Sequence, residues 1–539
     1  MFSWAFRSLS SLAICASVLV LGAPPNNNAN VVDLGYAKYA GNFTAPHSVA
    51  YLGLPFAEPP VGDRRWRAPV SLDTLRISKE ARGQVIDARS YPNFCIQGGT
   101  GAGDAGGAGS EDCLKVNVYA PAGAKRGDNL PVLVYIHGGG YFFGNPANWP
   151  FDHWINQSPN VVIVSVYYRL MSLGFLAHGA FASDKSLGDL NTGFLDQREA
   201  LRWVQKHISA FGGDPKKVTI NGESAGGGSV QLHLVAKNGD GLFQAAIAQS
   251  VYRHPVQDPK LQEPQFDFFA AQAGCGSGSV RDKMACLRKA SVSAIARAQD
   301  TAFTGAWNSW HPVRDVNTIA EPPTESFKNG HFKKIPVIVG AVSNETIAGG
   351  TIAQAWKNSF PGLTDQDIAD LLTHYPLSAF SSEDEQFRSA TGDPLLRCAR
   401  EIVAAEASKF TKAYTYRYNQ RNPTQASPLV EHAAENWMMF LGTNTGFNGT
   451  TTFTQLLPEE NAFSEELIAY WLSFTRSHDP NTFKLARSPV WEPFTNKKHP
   501  RIVLQQNTTT TSGSHIETNI EPEIERCAAI ASKVKTMLN

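Results

Sequence analysis

Net charge is what this sequence most lacks. Its 48 Lys and Arg are matched by 48 Asp and Glu, so no net field draws in nucleic acid or an anionic membrane. It has no internal repeat and no long charge run, which sets aside repeat arrays and charged tails. Beyond the first two dozen residues no apolar run is long enough to cross a bilayer, and no lipid-anchor tail is present. What remains is a chain of 539 residues with an apolar fraction of 42%. That is enough apolar side chain for a large α/β core on one sheet.

The N-terminus reads as a secretory signal over residues 1–23. Arg7 supplies the positive start, Leu9 to Leu21 form a short apolar run, and cleavage falls near Gly22. Residues 24–539 are then expected to form one mature, secreted domain. Of seven cysteines, Cys15 lies in the signal. The other six, Cys95, Cys113, Cys275, Cys286, Cys398 and Cys527, allow fifteen full pairings, and spacing does not settle which. The close pairs Cys95/Cys113 and Cys275/Cys286 suggest two local loops, leaving Cys398 and Cys527 to join distant segments. Sequons at Asn42, Asn448 and Asn507 sit in polar stretches and can accept glycans. Asn156 is a poorer acceptor because Pro159 follows its sequon.

The chemistry centres on Val218-Thr219-Ile220-Asn221-Gly222-Glu223-Ser224-Ala225-Gly226-Gly227. A short β-branched run passes through small residues into a helical pattern, and Gly222, Ser224 and Gly226 fill G-x-S-x-G. This is the pattern of a nucleophile elbow, where a serine on a strained strand-to-helix turn is pushed out of the sheet. A helix-capping serine in a turn would read the same way in isolation.

A second feature is His137-Gly138-Gly139-Gly140, directly after the apolar run Val132 to Ile136. Consecutive glycines there let backbone N–H groups approach a substrate oxygen. Gly139, Gly140 and Ala225 are the expected oxyanion donors. Strand patterns at Ser48 onward, Leu114–Ala120, Val132–Ile136, Val161–Tyr167, Val218–Asn221, Ala245–Gln249, Pro336–Gly340 and Ala413–Tyr418 are joined by helical stretches. The clearest of these runs from Gly193 to Phe211, with Leu201, Val204, Ile208 and Phe211 on one face. Alternation of this kind predicts an α/β fold with a mostly parallel sheet and helices on both faces.

These residues carry a family resemblance. Tyr51 to Gly62 (Tyr-Leu-Gly-Leu-Pro-Phe-Ala-Glu-Pro-Pro-Val-Gly), Ser110-Glu111-Asp112-Cys113-Leu114, and Phe211-Gly212-Gly213-Asp214-Pro215 through Gly227 resemble three signatures of the type-B carboxylesterase/lipase family. That family is the cholinesterase-like branch of the α/β-hydrolases, and the likeness runs from about Val32 to the end of the chain. It implies a Ser-His-Glu triad acting on carboxylic esters. The acid is expected at Glu345, in Gly340-Ala341-Val342-Ser343-Asn344-Glu345, with Thr346 where the family has Gly. Asn344 is then expected to be buried and unglycosylated. The base is expected at His432, with Glu435 three residues on and Trp437 and Phe440 beyond; the glycine that often precedes it is absent. The resemblance also implies ion pairs Arg65–Glu111 and Arg169–Asp196.

The expected reaction forms an acyl-enzyme on Ser224 and needs neither metal nor organic cofactor. Its partner is a small-molecule ester; the oligomeric state is not legible. Two other readings share the pattern. A transesterase would differ only in using an alcohol in place of water. A non-catalytic adhesion protein would lack part of the triad and carry an anchor.

The loop Ile96 to Asp112 is short and glycine-rich, with one large apolar residue. It cannot present an apolar helical face, so an esterase is expected over a lipase with an interfacial lid. No tryptophan lies between Cys95 and Cys113, which disfavours a choline ester. Tyr141, Phe142, Phe143, Trp307, Trp310, Trp437 and Met438 are candidates for lining the pocket or for filling the core.

Overall fold

The computed structural model describes residues 30–97, 109–237, 241–304, 310–445 and 451–539. The expected secretory signal with Cys15, the glycines from 98 to 108, Trp307 and the sequon Asn448 lie outside them.

Interior strands grow from largely apolar runs because burial on both faces rewards them, whereas the two outermost strands are short and exposed or half-buried. Those of the central sheet are β1 (Asn42–Ala45), β2 (Ser48–Pro55), β3 (Lys115–Pro121), β4 (Leu130–Ile136), β5 (Val162–Val166) and β6 (Gly213–Glu223), followed by β7 (Ala245–Gln249), β8 (Val337–Val342), β9 (Ala413–Tyr418), β10 (Pro500–Leu504) and β11 (His515–Thr518). They form one eleven-stranded sheet in the order β1-β2-β3-β5-β4-β6-β7-β8-β9-β10-β11. From β5 through β10 neighbouring strands run parallel, with antiparallel pairs at both edges.

Successive side chains of a strand leave on opposite faces. Val132, Val134, Val164, Ile220 and Val339 enter one core layer, with Leu201 and Val204 of α1 (Thr192–His207), Val230 and Leu234 of α2 (Ala225–Val235) and Val403 of α3 (Cys398–Ala407). Leu133, Tyr135, Ile163, Ile247 and Ile338 enter the other, with Trp437 and Met438 of α4 (Ala434–Met439) and Leu467 and Trp471 of α5 (Pro458–Ser477). The sheet is therefore sandwiched by helices, as the alternation predicts.

Two boundaries differ from the sequence pattern, each for a local reason. The helical run to Phe211 ends as α1 at His207, then tightens into a 3₁₀ turn over Ile208–Phe211. Gly212, at φ 87°, stops it in a left-handed conformation that a Cβ would strain. The strand before the elbow starts at Gly213 rather than Val218, because a register irregularity lets Gly213 pair with Leu130 ahead of the Val132–Val218 pairing. Lys216 and Lys217 there are exposed, so that part shows no apolar run.

All six cysteines among the described residues are paired: Cys95–Cys113, Cys275–Cys286 and Cys398–Cys527. The last ties α3 to α6 (Glu521–Ser532). Arg65 grips both oxygens of Glu111 at 2.6 and 2.7 Å and spends Nη1 on the carbonyls of Leu287 and Ala290. Arg169 likewise grips both oxygens of Asp196 at 2.7 and 2.6 Å. Both pairs are buried. Among the described residues no helix is long and apolar enough to cross a membrane.

Candidate active site

β6 delivers Ser224 at its C-terminal end, and α2 starts at the next residue. The turn between them is as tight as the glycine pattern requires. A Cβ on Gly226 would lie 2.0 Å from the Ile136 carbonyl oxygen, and one on Gly222 would lie 2.5 Å from Gly226. Ser224 itself sits at φ 56°, ψ −121°, an unfavourable conformation for a residue with a side chain. It makes no capping bond to α2. Its hydroxyl instead points to His432, whose Nε2 lies 2.8 Å from Oγ.

His432 comes from the loop before α4, and Glu345 from the loop after β8. Asn344 laces these loops together: its N–H donates to the Val430 carbonyl, and its Oδ1 accepts the Val430 N–H, both at 3.0 Å. Asn344 is half-buried rather than fully buried, with its amide oxygen committed to that contact. His432 Nδ1 then meets Glu345 Oε2 at 2.7 Å, and Glu345 Oε1 accepts the Val342 N–H at 3.1 Å. No glycine precedes His432; the left-handed turn falls after it, at Ala433 with φ 65°.

The glycine run after β4 lies against the elbow. A Cβ on Gly138 would come 3.0 Å from Ser224 Cβ. Gly139 and Gly140 have φ of 100° and 61°, and the Gly139 carbonyl accepts the N–H groups of Phe142 and Phe143. Ala225 is the first residue of α2, so its N–H has no acceptor within the helix. His137 is a buried anchor: its ring is stacked on Tyr168, its Nδ1 contacts the Gly138 carbonyl, and burial pulls it down to about 4.

Two carboxylates to which the sequence assigned no role complete the electrostatics. Glu223 Oε1 stands 3.6 Å from His432 Nε2, and its Oε2 accepts from Asn436 Nδ2 at 3.1 Å. Glu435 accepts from Tyr416 at 3.3 Å and Ser250 at 3.5 Å. Burial, with like charge nearby, pushes the carboxyls of Glu223 and Glu435 up. Burial also pushes Glu345 up, but His432 and the bonds it accepts outweigh this and hold it below its usual range. Burial pulls His432 down, yet the charges of Glu345 and Glu223 outweigh that and hold it above its usual value. The signal for Glu223 was its place inside the elbow motif. Glu435 shows only as the third residue after His432.

The pocket candidates divide. Tyr141, Trp310, Trp437 and Met438 are buried in the core layers, whereas Phe142 and Phe143 stay partly exposed. Asn42 and Asn507 are exposed.

The carboxylesterase family model matches residues 29–523. Lipase 2 of Geotrichum candidum is 29% identical, over 96% of this chain and 98% of its own length. Acetylcholinesterase of Electrophorus electricus is also 29% identical, over 81% of this chain and 77% of its own. Among solved structures, that of EstA of Aspergillus niger superposes with a TM-score of 0.82 at 31% identity, covering 94% of this chain and 99% of that one.

Proposed function

The chain belongs to the carboxylesterase family and has the α/β-hydrolase fold, and on that premise we propose that Ser224, His432 and Glu345 form the triad of a secreted esterase. The observation that carries this reading is the unbroken line from Ser224 Oγ through both nitrogens of His432 to Glu345, at 2.8 and 2.7 Å.

Serine is a poor nucleophile until a base takes its proton. His432 Nε2 accepts that proton as Oγ attacks the ester carbonyl carbon. Glu345 fixes the imidazole with Nδ1 protonated and stabilises the imidazolium. The backbone N–H groups of Gly139, Gly140 and Ala225 receive the oxyanion, each worth on the order of 3 kcal/mol in the transition state. Collapse breaks the ester C–O bond, and His432 returns the proton to the leaving alcohol. Water, deprotonated by His432, then attacks the acyl carbon; the acyl C–Oγ bond breaks, His432 returns the proton to Ser224 Oγ, and the acid leaves.

Secretion after removal of residues 1–23, with one mature domain over 24–539, fits a chain whose three disulfides require an oxidising compartment. The glycine-rich composition between Cys95 and Cys113 favours esterase over lipase.

The test is Ser224→Ala. Hydrolysis of 4-nitrophenyl esters and covalent labelling by an organophosphate are both lost while the circular dichroism spectrum is unchanged. A variant that still turns over at near the wild-type rate overturns the assignment.

A further inference from the structure

A cavity of about 770 Å³ lies beside the elbow, and its walls come from the same segments that hold the site. Tyr252 lines it, and the Tyr252 N–H donates to the Ser224 carbonyl at 3.1 Å. Ile347 and Ala348 line it immediately beyond the Glu345 loop. Tyr141, the residue after Gly140, stands edge-on to two of its rings, His254 at 5.2 Å and His311 at 6.1 Å.

One wall is flat and aromatic. His254 and His311 stack with centroids 5.0 Å apart and planes 17° from parallel. Tyr252 leans on both, and its hydroxyl lies 3.2 Å from His311 Nε2. Burial pulls His254 down to about 4, so at neutral pH that wall carries no charge from it. The backbone of Pro312 and Tyr252 passes near its ring, yet neither ring nitrogen completes a hydrogen bond of good geometry. A second wall carries amides: Gln262 Nε2 donates to Gln257 Oε1 at 2.7 Å, with Gln265 and Asn358 beside the same space. Leu261 and Ile347, both mostly exposed, form apolar lips. Among the described residues that line it there is no Asp, Glu, Lys or Arg.

This chemistry selects. With no cation to hold a carboxylate and no anion to hold an ammonium, the cavity suits a neutral group. A fatty chain would strip water from the partly exposed Gln257 and Gln262 and from His254 without replacing its hydrogen bonds. A flat ring gains by stacking on the aromatic wall, and hydroxyls on that ring can serve both the amides and the imidazole. We propose that this cavity binds a hydroxylated aromatic group of a neutral ester, so that the preferred substrates are phenolic esters rather than fatty ones. This rests on Ser224 as the nucleophile.

The experiment compares kcat/KM for methyl 4-hydroxycinnamate, 4-hydroxyphenethyl acetate and methyl octanoate after active-site titration with an organophosphonate. At least one hydroxyaryl ester is expected to exceed the octanoate by about tenfold or more, and which one does tells whether the ring enters on the acyl or the alcohol side. Gln257→Leu combined with Gln262→Leu lowers that ratio about tenfold. Ala348→Trp, which fills the cavity, depresses the hydroxyaryl esters but not methyl acetate. Independently of any variant, 4-hydroxycinnamyl alcohol inhibits the wild-type enzyme at lower concentration than 1-octanol. Preference for the octanoate, or stronger inhibition by octanol, overturns the proposal while leaving the triad intact. Failure of the organophosphonate to label Ser224 removes the triad, and the proposal with it.

Discussion

Gln97 holds Gly144 by both of its backbone polar groups: its Oε1 accepts the Gly144 N–H at 3.0 Å, and its Nε2 donates to the Gly144 carbonyl at 3.1 Å. The same Nε2 reaches the Cys95 carbonyl at 3.1 Å. Gly144 closes the turn that begins at Gly139, so one fully buried amide ties the first disulfide to the proposed oxyanion donors. Gln97→Leu is expected to lower kcat about tenfold with KM nearly unchanged, because misaimed donors matter most in the transition state. It also costs about 1–3 kcal/mol of stability. Equal loss of affinity for substrate and for a boronic acid transition-state analogue would refute the positioning role.

Glu223 joins Glu345, the larger contributor, in raising the pH at which His432, the proposed base, loses its proton. Protonated His432 cannot take the Ser224 proton, so kcat/KM falls on the acid side of its titration. Removing a negative charge 3.6 Å from Nε2 destabilises the imidazolium and lowers the histidine's pKa. Glu223→Gln therefore moves the acid limb of the kcat/KM profile to lower pH, by about one pH unit. An unmoved limb, or one displaced upward, contradicts this.

Acid stability should depend on Glu523. Burial pushes its carboxyl up, but Arg400 and Arg501 outweigh burial and hold it at about 2, against an ordinary value of 4.5. Its folded value is depressed, so its contribution is full above pH 4.5 and is lost as pH falls toward 2. Glu523→Gln loses about 3–5 kcal/mol at neutral pH, because two guanidiniums are left short of a partner. Urea titrations at several pH values are then flatter for the variant between pH 4.5 and 2.

The Cys398–Cys527 bond closes a loop of 129 residues by sequence separation. Chain entropy assigns such a loop about 5 kcal/mol. The Cys398→Ala, Cys527→Ala double variant should unfold at markedly lower urea concentration, and a free thiol at either position in a non-reducing peptide map of the wild type would reject the pairing.

Kinetics separate esterase from lipase. The expected behaviour is hyperbolic on dissolved short- and medium-chain esters, with no rise in rate as substrate passes its solubility limit. A steep rise there, with little turnover of monomers, would assign a lid to some other segment.

The sequence carried those parts of this molecule whose chemistry is local. Ser224 was legible because G-x-S-x-G demands a turn too tight for a Cβ, and Ala413–Tyr418 because tyrosines alternate there with smaller or polar residues at the two-residue period of a strand. Glu345 and His432 needed the family resemblance, since nothing near either residue reveals a partner 87 positions away. Strands β10 and β11 were not anticipated: the one opens on Pro500 and Arg501 and the other is mostly polar, and each is fixed by its neighbour rather than by its own pattern. Gln97 was invisible for a related reason. A lone glutamine acquires its role only when folding sets Gly144 opposite it.

The segment between Cys95 and Cys113 is fastened at each end by different means. Gln97 fixes the start, and Glu111, gripped by Arg65, fixes the finish. The two anchors are independent, one a neutral amide and the other an ion pair, so acid can loosen the finish without touching the start.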